Sequence, residues 1–369
     1  MRIDALDVYY LKNQLLKPWV TAYGKDDATY TIMVRMTSGS ETAWSEASPL
    51  MAPMYSPEFA QGVYIVVTQF LAPMIVGRSF DSAVEINEAM SAIKGNPFAK
   101  SAIEIAWWTL ESKRRGVPLH VLLGGSDQEV ATGADFGIQE SIDTLLALID
   151  EAIKEGYPRI KLKAKPGWDL NMLQAVRSTF PDFTFHIDCN SGYSLADLEL
   201  FRQIDRFHLA MIEQPLFHAD VRDHAKLQAS IETPICLDES ITSVRVAREA
   251  IELGACKFIN IKPGRVGGLL PALQINTICR EAGIGCWVGG MLETAIGVGI
   301  CIELATIGNM VYPSDLLPSS FFYEEELSLD RIVHSGPGRM KPSSKPGNGY
   351  VPDPQRLQAR TLATIHLGG

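Results

Sequence analysis

Five short apolar runs recur through the middle of this chain, and each carries a charged residue at or near its end. They are Arg159 to Lys163, Phe185 to Asn190, Ala210 to Gln214, Ile235 to Glu239 and Phe258 to Lys262. Lys163, Asp188, Glu213 and Asp238 stand 25 residues apart each time, and Lys262 follows after 24. That interval holds one strand, one helix and two loops. Five turns of a βα repeat therefore deliver lysine, acid, acid, acid and lysine to the same end of a parallel sheet. In a (β/α)₈ barrel that end carries the active site.

Alternation along the runs fixes which way they face. Lys161 and Lys163 share one side of a strand, while Ile160 and Leu162 share the other. Asp188 pairs with Asn190 in the same way, and Asn260 with Lys262. Charged groups packed against helices without partners would cost several kcal/mol each. The ionisable set therefore belongs inside the barrel mouth. Three carboxylates on neighbouring strand ends make a hard oxygen site suited to Mg²⁺. A cation there can hold a substrate carboxylate and stabilise charge developing beside it. A lysine close to a bound cation is expected to fall toward a pKa of ~7–8, the range of a useful general base.

The flanking sequence completes a modified (β/α)₈ TIM barrel, (β/α)₇β, with an α+β capping domain. The predicted divisions are 1–125 for the cap, 126–320 for the barrel, and 321–369 for a segment returning to the cap. Arg2 to Tyr10, Tyr30 to Thr37 and Ala43 to Ala47 read as strands of a meander. Leu15 to Asp27 between them, with Pro18, Trp19 and Tyr23, reads as a polar loop, either a lid or a plain connection. A helix is expected from Asn96-Pro97, with Asn96 as its N-cap, to Gly116. Within it, at least one of Trp107 and Trp108 points to core packing rather than to a cofactor. The barrel opens with a strand at Thr132 to Ile138. Its seventh strand is Ile284 to Val288, followed by Gly289-Gly290, and a weak eighth lies at Met310 to Tyr312.

The net charge of −10 argues against a nucleic-acid partner. No apolar run is long enough to span a membrane, and the N-terminus lacks the apolar core of a signal peptide. A cytoplasmic location is the expectation. The six cysteines form no CxxC pair and read as buried thiols. There is no G-x-S-x-G elbow, P-loop or paired-histidine zinc spacing.

The lysine-acid-acid-acid-lysine order resembles the enolase superfamily, in its muconate-lactonizing subgroup. The runs Ile160 to Lys163, Ile212 to Pro215, Pro234 to Ser240, Asn260 to Gly268 and Gly289 to Thr294 resemble the o-succinylbenzoate synthases and N-succinylamino acid (N-acylamino acid) racemases. The likeness spans essentially the whole chain. It implies Lys163 as general base, Lys262 as the opposing lysine, and Asp188, Glu213 and Asp238 as ligands of Mg²⁺, with Mn²⁺ as a substitute. It also implies supporting roles for Lys161, Asn190, Glu239 and Arg265. Arg265 matches an arginine that accompanies racemase activity in this family and would tune Lys262. Trp19, Tyr23, Gly290 and Met291 are the expected substrate contacts. The implied chemistry is dehydration of a cyclohexadiene carboxylate to o-succinylbenzoate, for menaquinone synthesis, with possible racemisation of N-succinylamino acids. The alternatives are a dedicated racemase or a non-catalytic metal-binding relative. The expected partners are a small carboxylate substrate and further copies of the chain. Two departures stand out. The family's lid commonly reads Pro-Phe-x-Thr-Ser-Phe-Gly, whereas this chain has Pro18-Trp19-Val20-Thr21-Ala22-Tyr23-Gly24. The D-x-D of dipeptide epimerases is replaced by Gly290-Met291-Leu292-Glu293.

Overall fold

The computed structural model describes residues 1–368; Gly369, the last residue of the predicted returning segment, lies outside them. The chain opens with three antiparallel strands, β1 (Ala5–Thr21), β2 (Gly24–Ser38) and β3 (Glu41–Ala47). The predicted loop at 15–27 is instead the tip of one long hairpin, turning at Ala22-Tyr23. Its polar residues suit a strand pair with solvated faces, so charge hid the extended structure. Register slips between Gln14 and Trp19, where Pro18 brings no N–H to the ladder.

Helix α1 (Pro97–Arg115) lies across this sheet with Phe98, Ala99, Ala102, Ile103 and Ala106 in the core. Trp107 is buried there, and Trp108 donates its indole N–H to Glu104 at 2.8 Å. Asn96 does not cap the helix. It takes a left-handed conformation, and Glu58 accepts from Phe98 N and Ala99 N at 2.9 and 3.1 Å. A carboxylate from a distant segment thus supplies what the adjacent side chain was expected to give.

Seven parallel strands follow in sequence order: β4 (Ala134–Phe136), β5 (Ile160–Lys163), β6 (Phe185–Asp188), β7 (Ile212–Glu213), β8 (Ile235–Leu237), β9 (Phe258–Ile261) and β10 (Gly285–Val288). Their outward residues, among them Ile160, Leu162, Ile187 and Ile259, join the main core beneath the surrounding helices. The predicted eighth strand is a stave rather than a regular strand. Residues 310–315 bridge Cys286 to Met310 on one side and Thr132 to Ser314 on the other. Pro313 interrupts any longer ladder there. At the barrel floor Met211, Cys236 and Trp287 form a small interior plug. All six cysteines are free and buried. The chain ends in β11 (Thr361–Gly368), antiparallel to β1 at the edge of the first sheet. Among the described residues no helix is long and apolar enough to cross a membrane.

Two buried glutamates of the first domain tie it to the barrel. Glu104 on α1 accepts from Leu269 N and Leu270 N at 2.7 and 2.8 Å, at the start of helix α2 (Leu269–Glu281). Glu46 on β3 accepts from Thr294 N and Gly297 N at 3.1 and 3.0 Å, at the start of helix α3 (Ala295–Ala305). Helix starts leave four N–H groups without partners, and these carboxylates satisfy two of them in each case.

Candidate active site

The inward residues of β5 to β9 meet at the barrel mouth in a dry ionic layer. Lys163 Nζ donates to Asp188 Oδ2 at 2.6 Å. Lys161 Nζ lies 3.4 Å from Glu213 Oε2, 3.5 Å from Asp188 Oδ2 and 3.4 Å from Asp135 Oδ2, and also pairs with Asp315. Asn260 Nδ2 donates to Glu213 Oε1 at 2.6 Å. Lys262 Nζ donates to Asp238 Oδ2 at 3.1 Å and sits 4.7 Å from the centre of the Tyr55 ring. Arg265 pairs with Asp238 and donates to Tyr55 Oη at 2.8 Å. Both groups also touch Lys262, so Arg265 can influence that lysine through Asp238 or Tyr55.

Backbone geometry at the strand ends serves this layer. Asn190, Ser191, Gln214 and Leu292 all take positive φ, which is costly for residues with a Cβ and tends to cluster at working sites. Gln214 Oε1 accepts from Asp238 N and Ser240 N at 3.0 and 3.1 Å. Its Nε2 donates to Leu216 O and Ser240 Oγ at 3.2 and 2.7 Å. One amide therefore holds the main chain on which Asp238 rides. A side chain at Gly289 would crowd this layer. A Cβ there would come within 2.3 Å of Asn260 Oδ1 and 2.7 Å of Lys262 Cε.

The electrostatics follow from burial against pairing. Burial pushes the Lys163 ammonium toward losing its proton, but the surrounding carboxylates, Asp188 first and then Asp135 and Glu213, together hold its pKa above the ordinary lysine value. Lys262 is likewise held up, with Tyr55 opposing burial. Burial raises Glu213, but Lys161 and His186 override it and keep it well below the usual range. Burial and the nearby Asp188 charge push Glu239 up to about 7.

The donor set has the chemistry of a hard divalent-cation site. Asp188, Glu213 and Asp238 offer oxygen only. Glu239 Oε2 and Asn190 Oδ1 are buried oxygens without a partner, and Asn190 also donates to Asp188 Oδ2 at 3.4 Å and Glu239 Oε1 at 3.0 Å. The expected convergence of three acids is nonetheless not what the side chains display. Asp188 and Glu213 are register partners, yet each of the three acids is engaged by its own ammonium or guanidinium. Among the described residues no three His, Cys, Asp or Glu side chains are gathered closely enough to hold a metal.

Lys161, Lys163, Asn190 and Lys262 line a pocket of about 40 Å³, together with Trp19, Tyr23, Gly290 and Met291. Glu239 and Arg265 stand behind it. Sequence reasoning missed Tyr55, Asp135, Asp315 and Arg159. Arg159 alternates with Lys161 and Lys163, and Asp135 is an acid within an apolar strand, so both left a signal. Tyr55 lies in an irregular segment and left none. His186 donates to or accepts from Tyr312 Oη at 3.0 Å and packs edge-on to Trp287, as a structural histidine does.

This pairing of a curled parallel sheet with an antiparallel capping sheet has known counterparts. Residues 144–356 match the enolase C-terminal domain-like family, and residues 5–124 match the mandelate racemase / muconate lactonizing enzyme N-terminal domain. The chain belongs to the enolase superfamily and is an enzyme of that kind. It is 39% identical over 363 residues to an o-succinylbenzoate synthase of Geobacillus kaustophilus, covering 98% of this chain and 96% of that protein. It is 38% identical over 327 residues to an N-succinylamino acid racemase of Thermus thermophilus, covering 89% of each. The crystal structure of an enolase superfamily member from Listeria innocua superposes with a TM-score of 0.95 at 32% identity, over 100% of this chain and 99% of that one.

Proposed function

We propose that this chain is a Mg²⁺-dependent o-succinylbenzoate synthase that also racemises N-succinylamino acids. The observation that carries the reading is the presence of two lysines, from β5 and from the end of β9, on one small pocket. The similarity to proteins of both activities at 38–39% identity supports it. Both reactions begin by removing the proton α to a carboxylate.

In this reading Lys163, in its neutral form, takes that proton. In the dehydration it then delivers the proton to the departing hydroxyl, so that water leaves and o-succinylbenzoate remains. Lys262 stays charged on the far side and faces the negative charge left on the substrate. In racemisation the two amines act on opposite faces, one removing a proton and the other supplying one. Asp188, Glu213 and Asp238 would turn from their lysine and arginine partners to hold the cation, and Glu239 and Asn190 would steady Asp188. When bound, Mg²⁺ would supply Lewis-acid stabilisation of the carboxylate's growing charge; Mn²⁺ offers similar hard-cation chemistry. Trp19 and Tyr23 wall the pocket from water. A dedicated racemase is the alternative reading, favoured by the placement of an amine on each side.

The test follows α-hydrogen exchange in D₂O by NMR, beside assays of dehydration and racemisation. Lys163→Ala should lower both activities by about 10³-fold or more with the fold retained. Lys262→Ala should do the same for racemisation. Substantial turnover by Lys163→Ala would remove it as the base.

A further inference from the structure

The lysine pocket, at about 40 Å³, has room for a carboxylate and its α-carbon but not for a whole substrate, since sites for such ligands usually span about 300–1,000 Å³. A cavity of about 680 Å³ adjoins it, walled by the hairpin tip, the β4 end and residues 320–322. Trp19 and Asp135 border both spaces. The rest of the substrate can therefore extend past Asp135 into the larger space.

Asp135 is unusual at that position. It is register partner to Lys161, and its side chain is about nine-tenths buried. Its Oδ2 lies 3.4 Å from Lys161 Nζ. Its Oδ1 is buried with no hydrogen-bond partner at all. A buried acceptor left unpaired costs free energy that a ligand donor can recover. We infer that Asp135 is a specificity-determining residue, whose Oδ1 accepts a hydrogen bond from the amide N–H of an N-acylamino acid while the acyl group lies in the larger cavity. The inference rests on the α-proton chemistry proposed above and deepens it. A cyclohexadiene carboxylate has no such donor and gains nothing from this oxygen. The cavity walls combine apolar side chains, Leu15, Phe136, Ile138 and Phe322 among them, with Lys17 and Lys25, a mixture that suits the methylenes and the terminal carboxylate of a succinyl group.

The experiment compares kcat/KM for an N-acylamino acid and its N-methyl analogue, which lacks the amide hydrogen, using the Mg²⁺-loaded enzyme. The native chain should prefer the N–H form by at least about 10-fold. Asp135→Leu, close in shape but without an acceptor, should shrink that preference to about 3-fold or less. Asp135→Asn, which keeps an acceptor oxygen, should retain most of it. Dehydration of the cyclohexadiene carboxylate should change less than either. A preference unchanged in Asp135→Leu overturns the inference. So does an equal loss for all three substrates, which would mean that Asp135 only holds Lys161. If the native chain exchanges no α-hydrogen of any of these carboxylates, the parent reading falls first and this one with it.

Discussion

Glu46 and Glu104 bind the capping domain to the barrel through carboxyl oxygens aimed at backbone N–H groups, deep in the protein. At the hairpin tip the same domain meets the same barrel through much lighter contacts. Ile138 N donates to Val20 O at 3.2 Å, and Trp19 lies edge-on to Phe322 at 6.0 Å. The first seam leaves almost nothing unsatisfied, whereas the second surrounds the large cavity. One fixes where the two domains stand, and the other is free to adapt to what enters between them. Segments that gate ligands come from the low-stability end of a fold.

The sharpest way to break this contrast is Glu104→Ala. It strands two backbone donors and the Trp108 indole in a buried place and should cost about 3 kcal/mol of stability, read by urea unfolding at pH 6. Protein that remains folded should keep kcat/KM within about 3-fold. A loss under about 1 kcal/mol would mean that the seam is not a clamp.

A second expectation concerns pH. Burial pushes Glu46 and Glu104 up to about 7, with their N–H partners pulling the other way. A folded-state value above the unfolded one, about 4.3, favours the fold when protonated. Their contribution is thus complete below about pH 4 and is lost as pH rises through 7. Unfolding free energy measured from pH 5 to pH 8 should fall less steeply in Glu104→Gln than in the native chain. An identical slope would assign the pH dependence elsewhere.

The mildest effect belongs to the tip. Trp19→Ala should raise KM about 10-fold, with kcat changed less and the thermal midpoint nearly unmoved. A large drop in the midpoint would make the tip part of the frame and erase the contrast.

These two regions also differ in how plainly the sequence announces them. The barrel could be read because strand alternation and the regular interval repeat across β5 to β9, and each inward charge marks its own strand end. The seam could not, because Glu46 and Glu104 act on partners far away in sequence, as Glu58 does within the cap, and a capping signal is normally sought within one turn of the helix. Asn96 looked like the cap and bonds Lys94 O instead. The tip was obscured by its own polarity, since Lys17, Lys25 and Asp26 resemble a loop as much as a solvated strand. The eighth stave was faint because Pro313 removes a donor where a ladder would continue. Within the site, the lysines and acids stood out by position, whereas Tyr55 was invisible until the chain was folded.

Gln214 carries a practical lesson for anyone exchanging segments between relatives. Its neutral side chain anchors the main chain under an acid contributed by the next strand. A graft that imports one without the other would keep every charged residue in the alignment and still misplace the carboxylate of Asp238. The two belong in a single transplanted block, and a chimera that ignores this would be misread as having the wrong acid.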